Sequence, residues 1–155
     1  MFKRILVPLD GSEPSQHALA IAIGLARANA GQLRLIHMID HATYLAGYDP
    51  SGGSSAQLFG ALQDSARQIV AGAEASARQE GVAADGVVVD GLGVRLGDAV
   101  AKAASEWGAD LIVVGTHGRR GPSRLLLGSG AEQIIRLSPM PVLVTRVPEP
   151  ASKSA

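Results

Sequence analysis

The chain contains no cysteine among its 155 residues, which excludes disulfide bonds, thiolate metal sites and a cysteine nucleophile. Aromatic residues make up only 3% of the sequence, too few for a surface on which nucleic-acid bases stack. Charge of one sign is lacking too, because 14 Lys and Arg balance 14 Asp and Glu. A neutral chain does not offer the basic surface that binds DNA, RNA or anionic membranes. We therefore expect no nucleic-acid partner.

Long apolar runs are also absent. No stretch approaches the roughly 18 residues that a membrane-spanning helix needs. The apolar run near the start stops at Asp10, short of the ~7–15 residues of a signal-peptide core. These absences predict a soluble, cytoplasmic protein without membrane insertion. At about 150 residues per domain, the length suits one domain; we expect it over residues 1–147, followed by a flexible tail rich in Pro, Ser and Ala at 148–155.

Five short apolar runs predict strands, and most are continuous, as expected for a sheet covered on both faces. They span residues 5–9, 33–39, 87–89, 111–114 and 142–147. Alanine-rich stretches between them predict helices over residues 14–29, 54–80, 96–107 and 129–137. Capping boxes indicate helix starts at Ser54 and Ser129, and Gly31, Gly81 and Gly108 are expected to close the first three helices. Residues 41–55 predict a surface loop.

This alternation predicts a single α/β domain with a doubly wound, five-stranded, mainly parallel sheet and helices on both faces. The expected strand order is 3-2-1-4-5, as in Rossmann- and flavodoxin-like folds. Ligands of such sheets bind outside the carboxyl ends of the strands, where the strand order reverses. The loops that follow the strands are therefore the first place to look for a site.

Glycine is in excess, with 19 residues against a usual share of about 7%, and five of them lie between residues 115 and 130. This segment follows the fourth predicted strand and ends at a helix start. Glycine lets backbone N–H groups approach a ligand, and a helix N-terminus favours phosphate. Arg119, Arg120 and Arg124 add positive charge. The alternative is a flexible surface loop in which Ser129 only caps the helix.

The spacing in this segment is specific. Gly115-x-x-Gly118, nine residues and then Gly128-Ser129 match the G-2x-G-9x-G-[S/T] pattern of ATP-binding universal stress proteins. Residues 3–12, 35–40, 109–115 and 141–144 are similar to the strands of that family. The chain thus resembles a universal stress protein of the UspA superfamily over nearly its full length.

The resemblance implies that the protein binds ATP, with Mg²⁺ carried by the nucleotide. The backbone at the three motif glycines would contact ribose and phosphates, and Ser129 would donate to a phosphate. Asp10 and Pro8 would face adenine and ribose, and the Met38 backbone would pair with the adenine edge. His117, between two motif glycines, is a further candidate phosphate contact. The candidate nucleotide-binding residues are Pro8, Asp10, Met38, Gly115, His117, Gly118, Arg119, Arg120, Gly128, Ser129 and Gly130.

Two segments depart from the family pattern. Gly130 stands where an apolar β-branched residue is common, which is expected to loosen the start of the helix. Residues 90–97 are richer in glycine than the family's third loop. Asp10 has an alternative role that involves no ligand, as a cap of the first helix. Trp107 is expected to pack in the core or at an interface.

Little catalysis is expected. The chain has neither a G-x-x-x-x-G-K-[ST] loop nor a G-x-S-x-G elbow. His17, His37 and His41 lack the spacing of metal ligands. Between Gly115 and Ser129 there is no Asp or Glu, whereas phosphoryl transfer needs a base and metal-holding carboxylates. We expect a non-enzymatic protein with at most weak ATP hydrolysis.

The resemblance also implies a stress-response regulator that forms a homodimer through its last strand, residues 142–147, with Val142 and Val147 at the ends. An alternative is an interaction protein of the same fold that binds no nucleotide and acts through an unidentified protein partner. A third reading is an enzyme that uses the same cleft for a small metabolite.

Overall fold

The computed structural model describes residues 1–41, 53–116 and 127–148, with side chains from residue 56 onward in the second range. Strands and helices alternate along the described chain as the apolar pattern predicts. The strands are β1 (Arg4–Pro8), β2 (Gln32–Ile39), β3 (Ala83–Asp90), β4 (Leu111–Gly115) and β5 (Val142–Thr145). The helices are α1 (Glu13–Ala28), α2 (Gly53–Gln79), α3 (Leu96–Trp107) and α4 (Ser129–Leu137).

The five strands form one parallel sheet in the order β3-β2-β1-β4-β5, which confirms the predicted order 3-2-1-4-5. The order reverses at β1, because β2 lies on one side of it and β4 on the other. The carboxyl ends of β1 and β4 therefore diverge into loops on either side of a crevice. This is the geometry of a doubly wound α/β fold.

Helices cover both faces of the sheet, and β1 supplies side chains to both cores. Ile5 and Val7 point to one face, where they join α1 and α2. Leu6 points to the other face, where it joins α3 and α4 through residues such as Val100 and Ile134. Because β1 is buried on both sides, it reads in the sequence as a continuous apolar run.

Strand β3 is longer than predicted. It spans Ala83–Asp90, whereas only residues 87–89 read as a strand. The strand lies at the sheet edge and is only partly buried, so its first half carries no apolar signal. Gly86 also weakens the strand signal in the sequence, because glycine is unusual in strands. A Cβ there would lie 1.9 Å from a methyl carbon of Val70 on α2. The glycine marks close packing of a helix on the strand.

Several predicted boundaries were wrong by a few residues. Helix α1 ends in a cap at Asn29, and Ala30 rather than Gly31 takes the left-handed conformation, with φ 49°. Gly31 instead lies against the backbone of Lys3, since a Cβ there would be 2.8 Å from the Lys3 carbonyl oxygen. Gly81 and Gly108 do adopt positive φ, Gly108 as the predicted cap of α3.

The remaining shifts concern α2, β5 and the tail. Helix α2 begins at Gly53, so Ser54 lies within the helix and does not cap it. Strand β5 ends at Thr145, two residues before the predicted end. Of the predicted tail, residues 149–155 lie outside the described residues, as do residues 42–52 of the predicted loop.

Trp107 is a core residue, as one of its two readings predicts. It is 9% exposed and packs in the cluster beneath α3 and α4. The guanidinium carbons of Arg4 and Arg34 lie 4.8 and 5.0 Å from its ring centroid, within the range of cation–π attraction. Among the described helices, none combines the length and apolar character needed to cross a bilayer.

Candidate functional site

A cavity of about 540 Å³ opens at the carboxyl ends of β1, β2 and β4, where the strand order reverses. Seven of the predicted site residues line it: Pro8, Asp10, Met38, Gly115, Gly128, Ser129 and Gly130. Tertiary structure thus brings together residues from four separate parts of the chain. His117, Gly118, Arg119 and Arg120, together with Arg124, lie outside the described residues.

Asp10 organises the loop between β1 and α1. Its Oδ1 accepts hydrogen bonds from the Ser12 N–H, at 2.9 Å, and from the Ser12 hydroxyl. Ser12 is the N-cap of α1, and its Oγ accepts from the Ser15 N–H at 3.3 Å. The reading of Asp10 as the helix cap was therefore wrong by two residues. Gly11 completes the turn with φ 78°, a conformation that favours glycine.

His37 is a cavity residue for which the sequence predicted no ligand role. It lies on β2, is 9% exposed, and lines the cavity. Its Nδ1 lies 2.8 Å from the Leu9 carbonyl oxygen, and the Leu9 N–H donates to the Ile36 carbonyl at 2.8 Å. Two hydrogen bonds from β2 thus hold the chain immediately before Asp10.

Helix α4 begins at the cavity wall at the predicted residue, but its N-cap lies one residue earlier than predicted. Gly128 is the N-cap and Ser129 is the first helical residue, so the predicted capping box at Ser129 was wrong. Glu132 instead faces Arg136 one turn along, with 3.7 Å between their charged atoms. Because a glycine cap has no side chain, Gly128 offers no side-chain acceptor to the first N–H groups of the helix.

The ends of the glycine segment are held together. The Gly128 N–H donates to the Thr116 carbonyl at 2.7 Å, and the Thr116 N–H donates to the Thr145 carbonyl at 2.9 Å. Gly115 is also needed for packing, since a Cβ there would lie 2.6 Å from the Pro14 carbonyl oxygen on α1. The end of β4 and the starts of α1 and α4 are therefore packed tightly around the cavity.

Gly130, the departure from the family pattern, has a partner on another helix. A Cβ on Gly130 would lie 2.8 Å from Cδ2 of Leu96, the first residue of α3. The two helices also meet at Gly97, whose N–H donates to Oε1 of Gln133 at 3.3 Å. The space left by the missing side chain is thus taken by Leu96, which itself lines the cavity.

Both acidic and basic residues line the cavity. Among the residues that the structure describes, these are Asp10, Asp40 and Arg95. Arg95 was missed because the third loop has no motif, although it follows the carboxyl end of β3 as a ligand-binding loop would. Its Nε donates to Oδ2 of Asp98 at 2.8 Å. Over residues 1–41, 53–116 and 127–148, no three His, Asp or Glu side chains cluster to hold a metal ion.

Asp90 lies just outside the lining, paired in register with Ile39 of the cavity wall. The Leu92 N–H donates to its Oδ1 at 3.2 Å, and Nε2 of His41 donates to the same oxygen. Both bonds favour the charged form, so they hold the pKa of the Asp90 carboxyl below its ordinary value.

Comparisons with known proteins agree with this architecture. The profile of the universal stress protein family matches residues 1–146. A universal stress protein of Methanocaldococcus jannaschii is 30% identical over 149 residues, covering 96% of this chain and 85% of the relative.

Solved structures extend the likeness. One hypothetical protein, solved as a test case of structural genomics, superposes with a TM-score of 0.81 at 26% identity, over 97% of this chain and 99% of the other. A universal stress protein in complex with cAMP superposes with a TM-score of 0.64 at 26% identity, over 94% of this chain and 97% of the other.

Proposed function

The chain belongs to the universal stress protein family, and from this premise we propose that it binds an adenine nucleotide, ATP, as a regulatory protein of the stress response. One observation carries the proposal: residues from four separate parts of the chain, expected to contact nucleotide, line one cavity at the strand-order reversal. A related protein of the same fold is found with cAMP, which supports an adenine nucleotide as the ligand class.

The size and lining of the cavity suit such a ligand. Its volume of about 540 Å³ falls within the ~300–1,000 Å³ of small-molecule pockets. Apolar side chains and a few polar groups share the wall, as expected of a pocket that holds a base and orients it. The apolar lining includes Pro8, Leu9, Ile39, Leu62, Leu96, Val114 and Ile134.

The phosphates fit at the start of α4. The N-terminus of this helix carries partial positive charge and N–H groups that bind anions. Ser129 and Gly130 line the cavity there, and Ser129 adds a hydroxyl donor. In this proposal His117, Gly118, Arg119 and Arg120 of the preceding segment supply further phosphate contacts.

The base and ribose fit at the ends of β1 and β2. Met38 and Pro8 line this part of the cavity, and backbone groups beyond the strand ends are suited to the adenine edge. A ribose hydroxyl can donate to the Asp10 carboxylate, which the Ser12 N–H and hydroxyl already orient. The bound nucleotide brings its own Mg²⁺.

We propose regulation rather than catalysis as the role of this site. Fast phosphoryl transfer requires a base and metal-holding carboxylates beside the phosphates. Asp10 and Asp40 are the carboxylates that line the described cavity. Asp10 follows β1 and Asp40 follows β2, whereas the phosphates are proposed to lie at α4. Hydrolysis of ATP is therefore expected to be slow at most.

We also propose a homodimer formed through residues 142–147. Strand β5 lies at the sheet edge, where Leu143 and Val144 are 38% and 36% exposed. An apolar edge strand invites pairing with another strand. A second copy of this chain would cover it.

Thermal unfolding tests nucleotide binding directly. A ligand at 100 times its Kd stabilises a domain of this size by about 2.7 kcal/mol, or roughly 5–10 °C in Tm. We expect this rise with ATP and Mg²⁺ in folded protein stripped of ligand. No shift at millimolar ATP would contradict the proposal and favour an interaction protein of the same fold.

A variant that introduces a negative charge locates the site. Ser129→Asp places a carboxylate where phosphate is proposed to bind, at a helix position that tolerates an acidic residue. We expect it to fold and to lose the ATP-induced shift. Ser105→Asp, the same change on an exposed position of α3, should keep the shift. An equal loss in both variants would argue against phosphate binding at α4.

A further inference from the structure

The charges around the cavity are unevenly distributed. Among the described lining residues, Asp10 and Asp40 are negative and Arg95 is positive. Each phosphate of a nucleotide adds negative charge, which carboxylates repel and a guanidinium attracts. Arg95 is therefore the described side chain suited to distinguish ligands by their phosphate charge.

Packing between two helices holds the backbone of Arg95 at the wall of the cavity in which the phosphates are proposed to bind. Arg95 immediately precedes Leu96, and Leu96 fills the space at Gly130 in the first turn of α4. Gly97 lies equally close to α4, because a Cβ there would be 2.7 Å from Cβ of Gln133. Arg95 thus belongs to a helix start that is packed directly against the start of α4.

The partner of Arg95 is one that a ligand can replace. Asp98 accepts from Nε of Arg95 at 2.8 Å, and the two side chains are 45% and 68% exposed, respectively. Exposed ion pairs of this kind contribute little to stability. A guanidinium has five N–H donors in a planar fork that matches phosphate oxygens. A phosphate at the cavity can therefore compete with Asp98 for the same side chain.

We propose that Arg95 is a specificity-determining residue that favours ligands with two or three phosphates, an inference that rests on the proposed nucleotide binding. Asp98 weakens this preference, because its ion pair with Arg95 competes with the phosphate. The preference would come from this chain's own third loop, separate from the glycine motif after β4. Asp98 would then set how strongly each added phosphate raises the affinity.

Calorimetric titration with adenosine, AMP, ADP and ATP at fixed Mg²⁺ and salt tests this. For Arg95→Gln we expect ATP to bind about tenfold more weakly, the loss of one charge-assisted contact, while adenosine affinity stays unchanged. Asp98→Asn should tighten ATP and leave adenosine unchanged. Arg95→Lys, which keeps the charge, should retain part of the discrimination.

Lys102→Gln is the matched control. Lys102 lies exposed on the same helix, 3.9 Å from Glu106 and outside the cavity lining, so its loss changes net charge equally. We expect wild-type affinities for all four ligands. If Arg95→Gln weakened the binding of all four ligands equally, or of none, the proposed role of Arg95 would be overturned while the proposed function would stand. A wild-type protein that binds none of the four would overturn the proposed function and this inference with it.

Discussion

Nδ1 of His37 lies 2.8 Å from the carbonyl oxygen of Leu9, and because a carbonyl only accepts, this ring nitrogen carries the proton. The bond joins β2 to the last residue before Asp10. It is buried at the cavity wall, where water does not readily replace a lost donor.

His37→Leu is therefore expected to destabilise the protein. It leaves the buried Leu9 carbonyl without this donor, which costs about 1–3 kcal/mol. His37→Asn should lose less, since the amide nitrogen of Asn can take the place of Nδ1. Urea denaturation of the three proteins measures the difference. A leucine variant as stable as wild type would show that the bond contributes nothing.

Gly97→Ala should also destabilise the fold. The new Cβ would lie 2.7–2.9 Å from Cβ and backbone atoms of Gln133, and helix backbone cannot easily yield. Overpacking of this kind costs about 1–3 kcal/mol. Gly24→Ala in α1 is the control, because nothing lies within 4 Å of the new Cβ; it should stabilise by roughly 0.5–1 kcal/mol. Thermal and urea unfolding of both variants test the contrast, which equal effects would contradict.

Asp90 is expected to stabilise the protein at neutral pH and to lose this effect in acid. Its pKa is lowered in the folded state by the Leu92 N–H and by His41, so it stabilises the fold above its unfolded pKa of about 3.9. This contribution is lost as pH falls through the lower folded pKa. Asp90→Asn should thus be less stable than wild type at pH 7, and this gap should be narrower at pH 3, below the unfolded pKa.

Urea unfolding at the two pH values measures this gap. Asp64→Asn is the control, because Asp64 is exposed and pairs at the surface with Arg67, at 3.1 Å; such changes usually stay within about 0.5 kcal/mol. A gap for Asp90→Asn that is as large at pH 3 as at pH 7 would contradict the linkage.

Leu143→Asp should separate the proposed dimer. Leu143 lies on the edge strand β5 and is 38% exposed, and a carboxylate there would be buried in the proposed strand pairing, which costs desolvation. Leu92→Asp makes the same change at a loop residue that is 66% exposed and should remain dimeric. Light scattering at micromolar concentration distinguishes the species. A monomeric wild type would contradict the dimer itself.

The sheet could be predicted because its central strands are buried on both faces. β1 and β4 read as continuous apolar runs, and both lie where the run predicts. The edge strand β3 could not be bounded, because the half that contains Gly86 is defined by packing against Val70 rather than by its own hydrophobicity. The hydrophobic pattern that predicts a strand is therefore weak where the strand is held by packing against a neighbouring helix.

Part of the candidate site was also predictable. Asp10, Met38 and Gly115 follow predicted strands, and a parallel sheet brings the ends of its strands to one edge. The helix was predicted over the right residues, but its N-cap was predicted one residue late, because Gly128 and Ser129 are both suitable caps and only the backbone conformation distinguishes them. That ATP binds there stays a prediction.

The sequence by itself determined the order of strands and helices, the family and the loops that meet at the cavity, because these follow from hydrophobic period, glycine spacing and chain topology. Only the tertiary structure decided that His37 holds Leu9, that Leu96 takes the space at Gly130, and that Arg95 lies on the cavity wall. The physical reason is that these positions depend on residues far apart in the sequence. His37 and Leu9 are 28 positions apart, and Gly130 and Leu96 lie on different helices, so no local pattern records them.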